Sequence, residues 1–406
     1  MKSSSRWMTS RFAIYATGNS INNIGNSMYI IALPLLVYHL THSSLSMGLT
    51  VAFEGGSVFL EPFVGTLADR LSPRFLLIIS LLYQAVLSAV LPFLYWQHHL
   101  TIGIIYVVGF FLGIGMDALH SVQSVVIPMM FGEVKDKASA GLTAAYTITT
   151  IIGPLVGAIA LATSGYQALL WINCLSFLGP IALLPWTRVP TRAHTLKDAM
   201  HGQSSWWHQT REGWRELMSH SFTKNLIISL VSLVMANAAI LPLAEFILRH
   251  TFGVSSAIVS GVFVVEGLGS FIGTQLPLRF KRLSTTSFLL SMVAFNVLGL
   301  LFMLLPIWLA IPAGLLLVAM GYLGAAVARN LLLQNHVPVE LLGRASSTFR
   351  AITGTAAIIS PLVMGLITTV WGSETALIIL ATMATVPFML MARRSNSIRM
   401  SSHKLE

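Results

Sequence analysis

"FEGGSVFLEPFVGTLADR", residues 53–70, is apolar almost to its end, yet Glu54 and Glu61 stand inside it and Asp69-Arg70 closes it. Spaced i and i+7, the two carboxylates fall on one face of a helix. Their meaning depends on the solvent the segment meets, and composition supplies that. Of 406 residues, 55% are hydrophobic and 9% charged, whereas an ordinary soluble domain carries about 25% charged residues. So little charge does not coat a soluble protein of this length. Apolar runs of about 20 residues are the mark of membrane helices, and residues 53–70 read as the end of one.

The same reading along the chain gives twelve candidate spans, at about 12–39, 45–68, 75–96, 102–130, 139–163, 167–186, 222–248, 256–279, 286–305, 308–335, 346–371 and 374–392. The fold class is therefore all-α integral membrane protein. The longest polar segment lies between the sixth and seventh spans. It divides the chain into an N-terminal six-helix bundle (1–187), a linker with an amphipathic stretch carrying Trp206, Trp207 and Trp214 (188–221), a C-terminal six-helix bundle (222–394) and a tail (395–406). With both termini in the cytoplasm, all but two of the 24 lysines and arginines fall on the cytoplasmic side; Arg249 is outside and Arg329 within the tenth span. That asymmetry fixes orientation. It also disposes of nucleic acid as a partner, because the net charge of +10 is scattered over short loops. The N-terminus is short and basic, and its first apolar segment is long enough to span, so no cleavable signal peptide is expected. A plasma (inner) membrane location follows from these features.

The halves resemble each other. "ALPLL" (32–36) recurs as "ILPLA" (240–244), "EGGSVFLEPFVGTLADRLS" (54–72) aligns without a gap on "EGLGSFIGTQLPLRFKRLS" (266–284), "GPLVGAI" (153–159) on "SPLVMGL" (360–366), and "KASA" (137–140) on "RASS" (344–347). Four matches in one order, at offsets near 207–212, argue for a parallel repeat of six helices. Two such bundles about an axis along the membrane normal is the plan of a large transporter class.

At these residues the chain resembles the major facilitator superfamily. "GTLADRLSPR" is similar to that family's signature after the second helix: Gly65, Leu67, Asp69, Arg70 and Arg74 match, while Ser72 and Pro73 replace a usual glycine and a usual basic residue. "TTIIGPLVGAIA" resembles the fifth-helix Gly-Pro-x-x-Gly motif of the drug–proton antiporter branch through Gly153, Pro154 and Gly157. "IALPLLVYHLTHSS", "TREGWRELMSH" and "VPVELLGRASS" look like the subfamily of macrolide efflux proteins and the enterobactin exporter. The fourth-helix arginine typical of many antiporters is absent, and Asp117 lies in that region. The resemblance implies two pseudo-symmetric bundles, with Asp69, Arg70 and Arg74 latching span 2 to span 11. The plainer reading of those basic residues is topogenic charge. Gly153 and Gly157 permit close helix contact, and Pro154 bends its helix.

Five acids fall inside spans: Glu54, Glu61, Asp117, Glu245 and Glu266. Each costs about 2.5–3.5 kcal/mol in hydrocarbon, so they line water, pair, or hold a proton. Either they carry the transported proton or they lock helices together by hydrogen bonds. Glu54 and Glu266 are repeat-equivalent; Glu245 is expected near the outer end of span 7, within reach of water. Asp117 and Arg329, with His120 beside the former, form either a switch across a cavity or a static buried pair. Asn19, Asn22, Asn23 and Asn26 make a polar stripe along span 1, lining the substrate cavity or gluing helices. Tyr29, Phe53, Phe111 and Met116 supply either a plastic cavity wall or lipid contact.

No catalytic signature, and no Gly-x-x-x-x-Gly-Lys-Ser/Thr phosphate loop, is present, so neither an enzyme nor an ATP-driven pump is expected. Cys174, the one cysteine, excludes an intrachain disulfide framework and a multi-cysteine metal site; His98-His99 is too sparse for a metal. No cofactor is expected. The expected function is proton-coupled export of amphipathic or cationic small molecules, multidrug- or macrolide-like, by alternating access, with protons and lipid as partners and a monomer sufficing. A siderophore or metabolite exporter of the same fold is the alternative, and a non-transporting receptor or scaffold the reading from another class.

Overall fold

A computed structural model describes residues 10–60, 71–189, 221–279, 284–336 and 339–385. The described chain is helical: α1 (Ser10–Thr41), α2 (Ser44–Gly55) running into a 3₁₀ turn (Gly56–Leu60), α3 (Pro73–Trp96), α4 (Ile102–Phe131), α5 (Lys135–Ser176), α6 (Leu178–Thr187), α7 (Ser221–Ala238), α8 (Ile240–Phe246) running into a π turn (Ile247–Thr251), α9 (Ser256–Arg279), α10 (Thr285–Phe302), α11 (Ala310–His336) and α12 (Val339–Trp371), then a shorter apolar α13 (Ser373–Thr385). Among the described residues nine helical runs are long and apolar enough to cross a membrane.

Helix ends fall where the caps are. Ser43, Ser72 and Ser284 each accept a backbone N–H from three residues on, opening α2, α3 and α10. Ser72 and Pro73, the two departures from the superfamily signature, form the N-cap and first turn of α3. A serine hydroxyl satisfies an orphan donor there, and proline gives up an N–H that has no partner anyway.

The chain divides into two units, Met1–Leu196 with Val254–Val264, and Lys197–Gly253 with Val265–Glu406. In the first, α1 is the axis. Gly153 packs against Ile24 and Ser27, and Ala160 joins a cluster with Met28 and Ala32, so this part of α5 runs alongside α1 in the same direction. Beyond Gly165 the chain returns: Tyr166 meets Leu35, Ser176 meets Gly25 and Pro180 meets Gly18. The whole reversal rests on Gly165, at φ 68° and ψ −169°, a region open essentially to glycine alone. Spans expected at 139–163 and 167–186 are thus two arms of one hairpin. A second apolar cluster, with Tyr15, Leu77, Leu81, Leu119, Val126 and Phe177, closes the other end of this unit.

In the second unit α10 lies tight on α11: a Cβ at Gly321 would collide with the Met292 carbonyl. The internal repeat shows in polar chemistry as well. Gln84 on α3 donates to the Gly115 carbonyl of α4, and Asn296 on α10, 212 positions later, donates to the Val318 carbonyl of α11. Both amides are fully buried, and an amide in an apolar interior stabilises only when a neighbouring helix supplies its partner.

Candidate functional site

The first unit holds Glu54 in the last turn of α2, just before the helix tightens into its 3₁₀ turn. Gly113 of α4 allows this, because a Cβ there would overlap the Glu54 carbonyl. The same carbonyl accepts the Ser57 hydroxyl at 3.2 Å. Glu54 itself is half-buried. Tyr29 of α1 lies within electrostatic reach of it, is 4% exposed, and has a buried hydroxyl with no hydrogen-bond partner among the described residues. Beside them Phe53 and Tyr106 stack in parallel, ring centroids 5.0 Å apart, and the Tyr106 hydroxyl donates to the Ser46 carbonyl. Phe53 remains exposed, as does Phe111, while Met116 is half-buried.

The asparagine stripe divides its roles. Asn19 accepts the Gln123 amide of α4 at 2.7 Å and donates to the Tyr15 carbonyl at 2.9 Å. The first of these bonds ties α1 to α4. Asn22 is buried and its amide oxygen has no partner among the described residues; Asn23 and Asn26 are half-buried. On α4, Asp117 is half-buried and His120 exposed. Arg329 belongs to α11, but its side chain lies outside the described residues, and so do Glu61, Gly65, Asp69 and Arg70. Arg74 sits half-buried in the first turn of α3.

The fifth-helix motif is packed as its composition demands. A Cβ on Gly153 would run into that of Ser27 and come 3.2 Å from the Ile24 carbonyl, so α5 and α1 touch backbone to side chain there. Four residues on, Gly157 faces Met28 and Ser260, and the Pro154 carbonyl accepts the Ser260 hydroxyl at 3.1 Å. Sequence reasoning does not single out Ser256, Ser260 or Tyr166. Their signal is slight: two hydroxyls a turn apart at the start of a span, and a tyrosine next to a glycine.

The second unit holds Glu245 and Glu266. Glu266 on α9 accepts the Ser270 hydroxyl, one turn on, at 3.1 Å. Glu245 differs from it. It is 1% exposed, and its Oε2 is buried without a hydrogen-bond partner among the described residues. The expectation that water reaches it easily is corrected: α8 and its π turn fold Glu245 inward. Its helix is interrupted on both sides, at Ala239 and in the π turn Ile247–Thr251, where backbone irregularity often accompanies function. Arg249 follows in that π turn, half-buried, with His250 stacked on Phe246 at 4.8 Å between ring centroids.

Among the described residues no group of three or more His, Cys, Asp or Glu side chains is placed to hold a metal ion. Cys174 is buried, its thiol 3.2 Å from the Ala85 carbonyl.

Residues 15–361 match the sequence profile of the Major Facilitator Superfamily. The enterobactin exporter EntS of Escherichia coli O81 (strain ED1a) is 25% identical over 355 residues, covering 80% of this chain and 78% of that protein. Solved structures with a similar fold include the nucleoside transporter NupG (TM-score 0.74, 15% identity, 95% of this chain and 99% of that one) and a bacterial homologue of the iron transporter ferroportin (TM-score 0.72, 16% identity, 93% and 98%). Apolar helices throughout, polar groups gathered inside them, and a family profile over most of the length agree: this chain belongs to the Major Facilitator Superfamily and is a multi-pass membrane transporter of a small-molecule substrate, not an enzyme.

Proposed function

We propose that the protein exports small molecules from the cytoplasm in exchange for protons, by alternating access of two six-helix bundles with both termini cytoplasmic in the inner membrane. The observation that carries this is Glu245. A carboxyl that is 1% exposed, with an oxygen unpartnered among the described residues, in a helix broken on both sides, is costly to keep inside a membrane and is retained for a purpose. Buried intramembrane acids mark proton relays in transporters. Glu54 and Glu266 are the repeat-equivalent pair of the same machinery, with Glu61 and Asp117 as further members. Asp69, Arg70 and Arg74 latch one bundle to the other, and Asn22, Asn23, Asn26, His120 and Arg329 line the substrate cavity. A monomer carries out the cycle without a cofactor.

The test is substrate-dependent proton movement in proteoliposomes under an imposed pH gradient. Glu245→Gln keeps the shape and removes the titratable proton. It should abolish coupled proton flux while leaving substrate binding within about threefold of the parent. Undiminished flux in Glu245→Gln, Glu54→Gln and Glu266→Gln alike would remove proton coupling at these acids.

A second reading concerns substrate. The similarity to an enterobactin exporter favours a siderophore-like metabolite over a lipophilic drug cation. Arg249, half-buried in the π turn, supplies a cation for an anionic group besides Arg329. A binding screen across anionic chelators, neutral macrolides and lipophilic cations separates the two.

A further inference from the structure

Within the first unit, the first turns of α9 are tied to α1 and α5 by a constellation outside the proton-carrying acids. Tyr166, directly after the Gly165 reversal, brings its phenol oxygen within 2.9 Å of the Ser256 hydroxyl and 3.2 Å of the Leu35 carbonyl. A phenol has one proton; with the carbonyl accepting it, the serine hydroxyl donates in return, and α1, the Gly165 turn and α9 meet at one oxygen. The ring of His39 lies 5.7 Å from that of Tyr166. The neighbouring Gln167 reaches the other way, donating to the Pro92 carbonyl at 2.9 Å and fixing the turn to α3. One turn further along α9, the buried Ser260 donates to the Pro154 carbonyl, against the small surface that Gly157 leaves open.

We propose that Tyr166 is a positioning residue of the transport cycle, a latch whose phenol holds Val254–Val264 on α1 and must release it for access to change sides. The inference rests on the alternating-access reading. Helix α9 carries Glu266 just beyond the latched stretch, about 9 Å along the axis from Ser260 at 1.5 Å per residue. Release therefore moves the element on which that acid is mounted. Ser260 on Pro154 is a second, deeper hold that survives loss of the phenol.

The experiment uses the full chain in detergent with Val262→Cys as reporter, a position 7% exposed within the latched stretch, and native Cys174 as internal control. Labelling by a water-soluble maleimide is read site by site. Losing one hydrogen bond of ordinary strength shifts an open–closed ratio by about fivefold, so Tyr166→Phe should raise labelling at position 262 by about that factor with Cys174 unchanged. Ser256→Ala should do the same, and the double variant no more than either single one. If Cys174 labelling rises in parallel, the bundle has loosened, and the milder Ser256→Ala decides. Unchanged labelling at 262 in a folded variant overturns the latch. Substrate flux measured on the same preparations is a separate readout: absence of flux in the parent sinks the transport reading while leaving the labelling result to judge the latch.

Discussion

Single side chains here have roles that their letters only partly announce. Glu245, near the end of its apolar run and followed by Arg249 and His250, reads as a solvated residue. The broken helix instead turns the carboxyl in and leaves the cation and the imidazole toward the helix end. No periodicity shows this, since the π turn changes the angular step between Glu245 and its neighbours. Asn19 is legible as one of four stripe amides, but its partner Gln123, far along the chain, is not. We expect Asn19→Leu and Gln123→Leu each to lower stability, and a double-variant cycle to return a coupling of about 0.6 kcal/mol and no more than about 1.7 kcal/mol, the average and maximum found for hydrogen bonds between membrane helices. Additive effects in unfolding assays would mean the bond contributes nothing.

Helices are the easiest layer to read, because a bilayer demands long apolar runs and tolerates few interruptions. The spans expected at 75–96, 102–130 and 256–279 lie within two residues of α3, α4 and α9. Their interruptions are harder. Span 7 reads as one helix and is three pieces, with only Pro242 as a hint. Span 2 changes to a 3₁₀ turn at Gly56, where its backbone is pressed by α4. Glycine substitutions test this layer. Gly165→Ala meets open space, so its whole cost is backbone strain, and thermal unfolding should register a loss of about 1–3 kcal/mol. Gly153→Ala instead drives a methyl into Ser27; forcing extra volume into a packed contact typically costs about 1–3 kcal/mol. Gly103→Ala, also in open space but within an ordinary helix, should be neutral or better by up to about 1 kcal/mol. A Gly153→Ala variant as stable and active as the Gly103→Ala control would show that the α1–α5 contact tolerates separation.

At the scale of the molecule the repeat is the most informative signal. It links residues 54–72 to 266–284 from the letters alone, and the same offset joins Gln84 to Asn296, two buried amides in matching positions of the two units. The repeat does not reveal where the copies diverge. Glu266 has Ser270 as a partner, whereas Glu54 lies within electrostatic reach of Tyr29. Such divergence is where substrate and coupling specificity can enter a symmetric frame. Orientation is testable on the basic residues: reporter fusions after Arg188 and after Arg394 should both report the cytoplasm, and one after His98 the opposite side. A cytoplasmic reporter at His98 would invert the topology.

The reversal at Gly165 has a consequence for biogenesis. Residues 138–187 contain no Asp, Glu, Lys or Arg, and the turn between the arms is a single glycine, with no hydrophilic loop to be threaded through the bilayer. Nothing charged has to be translocated when these helices leave the ribosome. On the proposed topology they partition from the translocon as one preformed hairpin, with Lys137 and Arg188 marking its two feet on the cytoplasmic side. Insertion of this pair is then a single cooperative event, and a charge introduced at the turn, as in Ser164→Lys, would be felt first by the insertion machinery and only afterwards by the folded transporter.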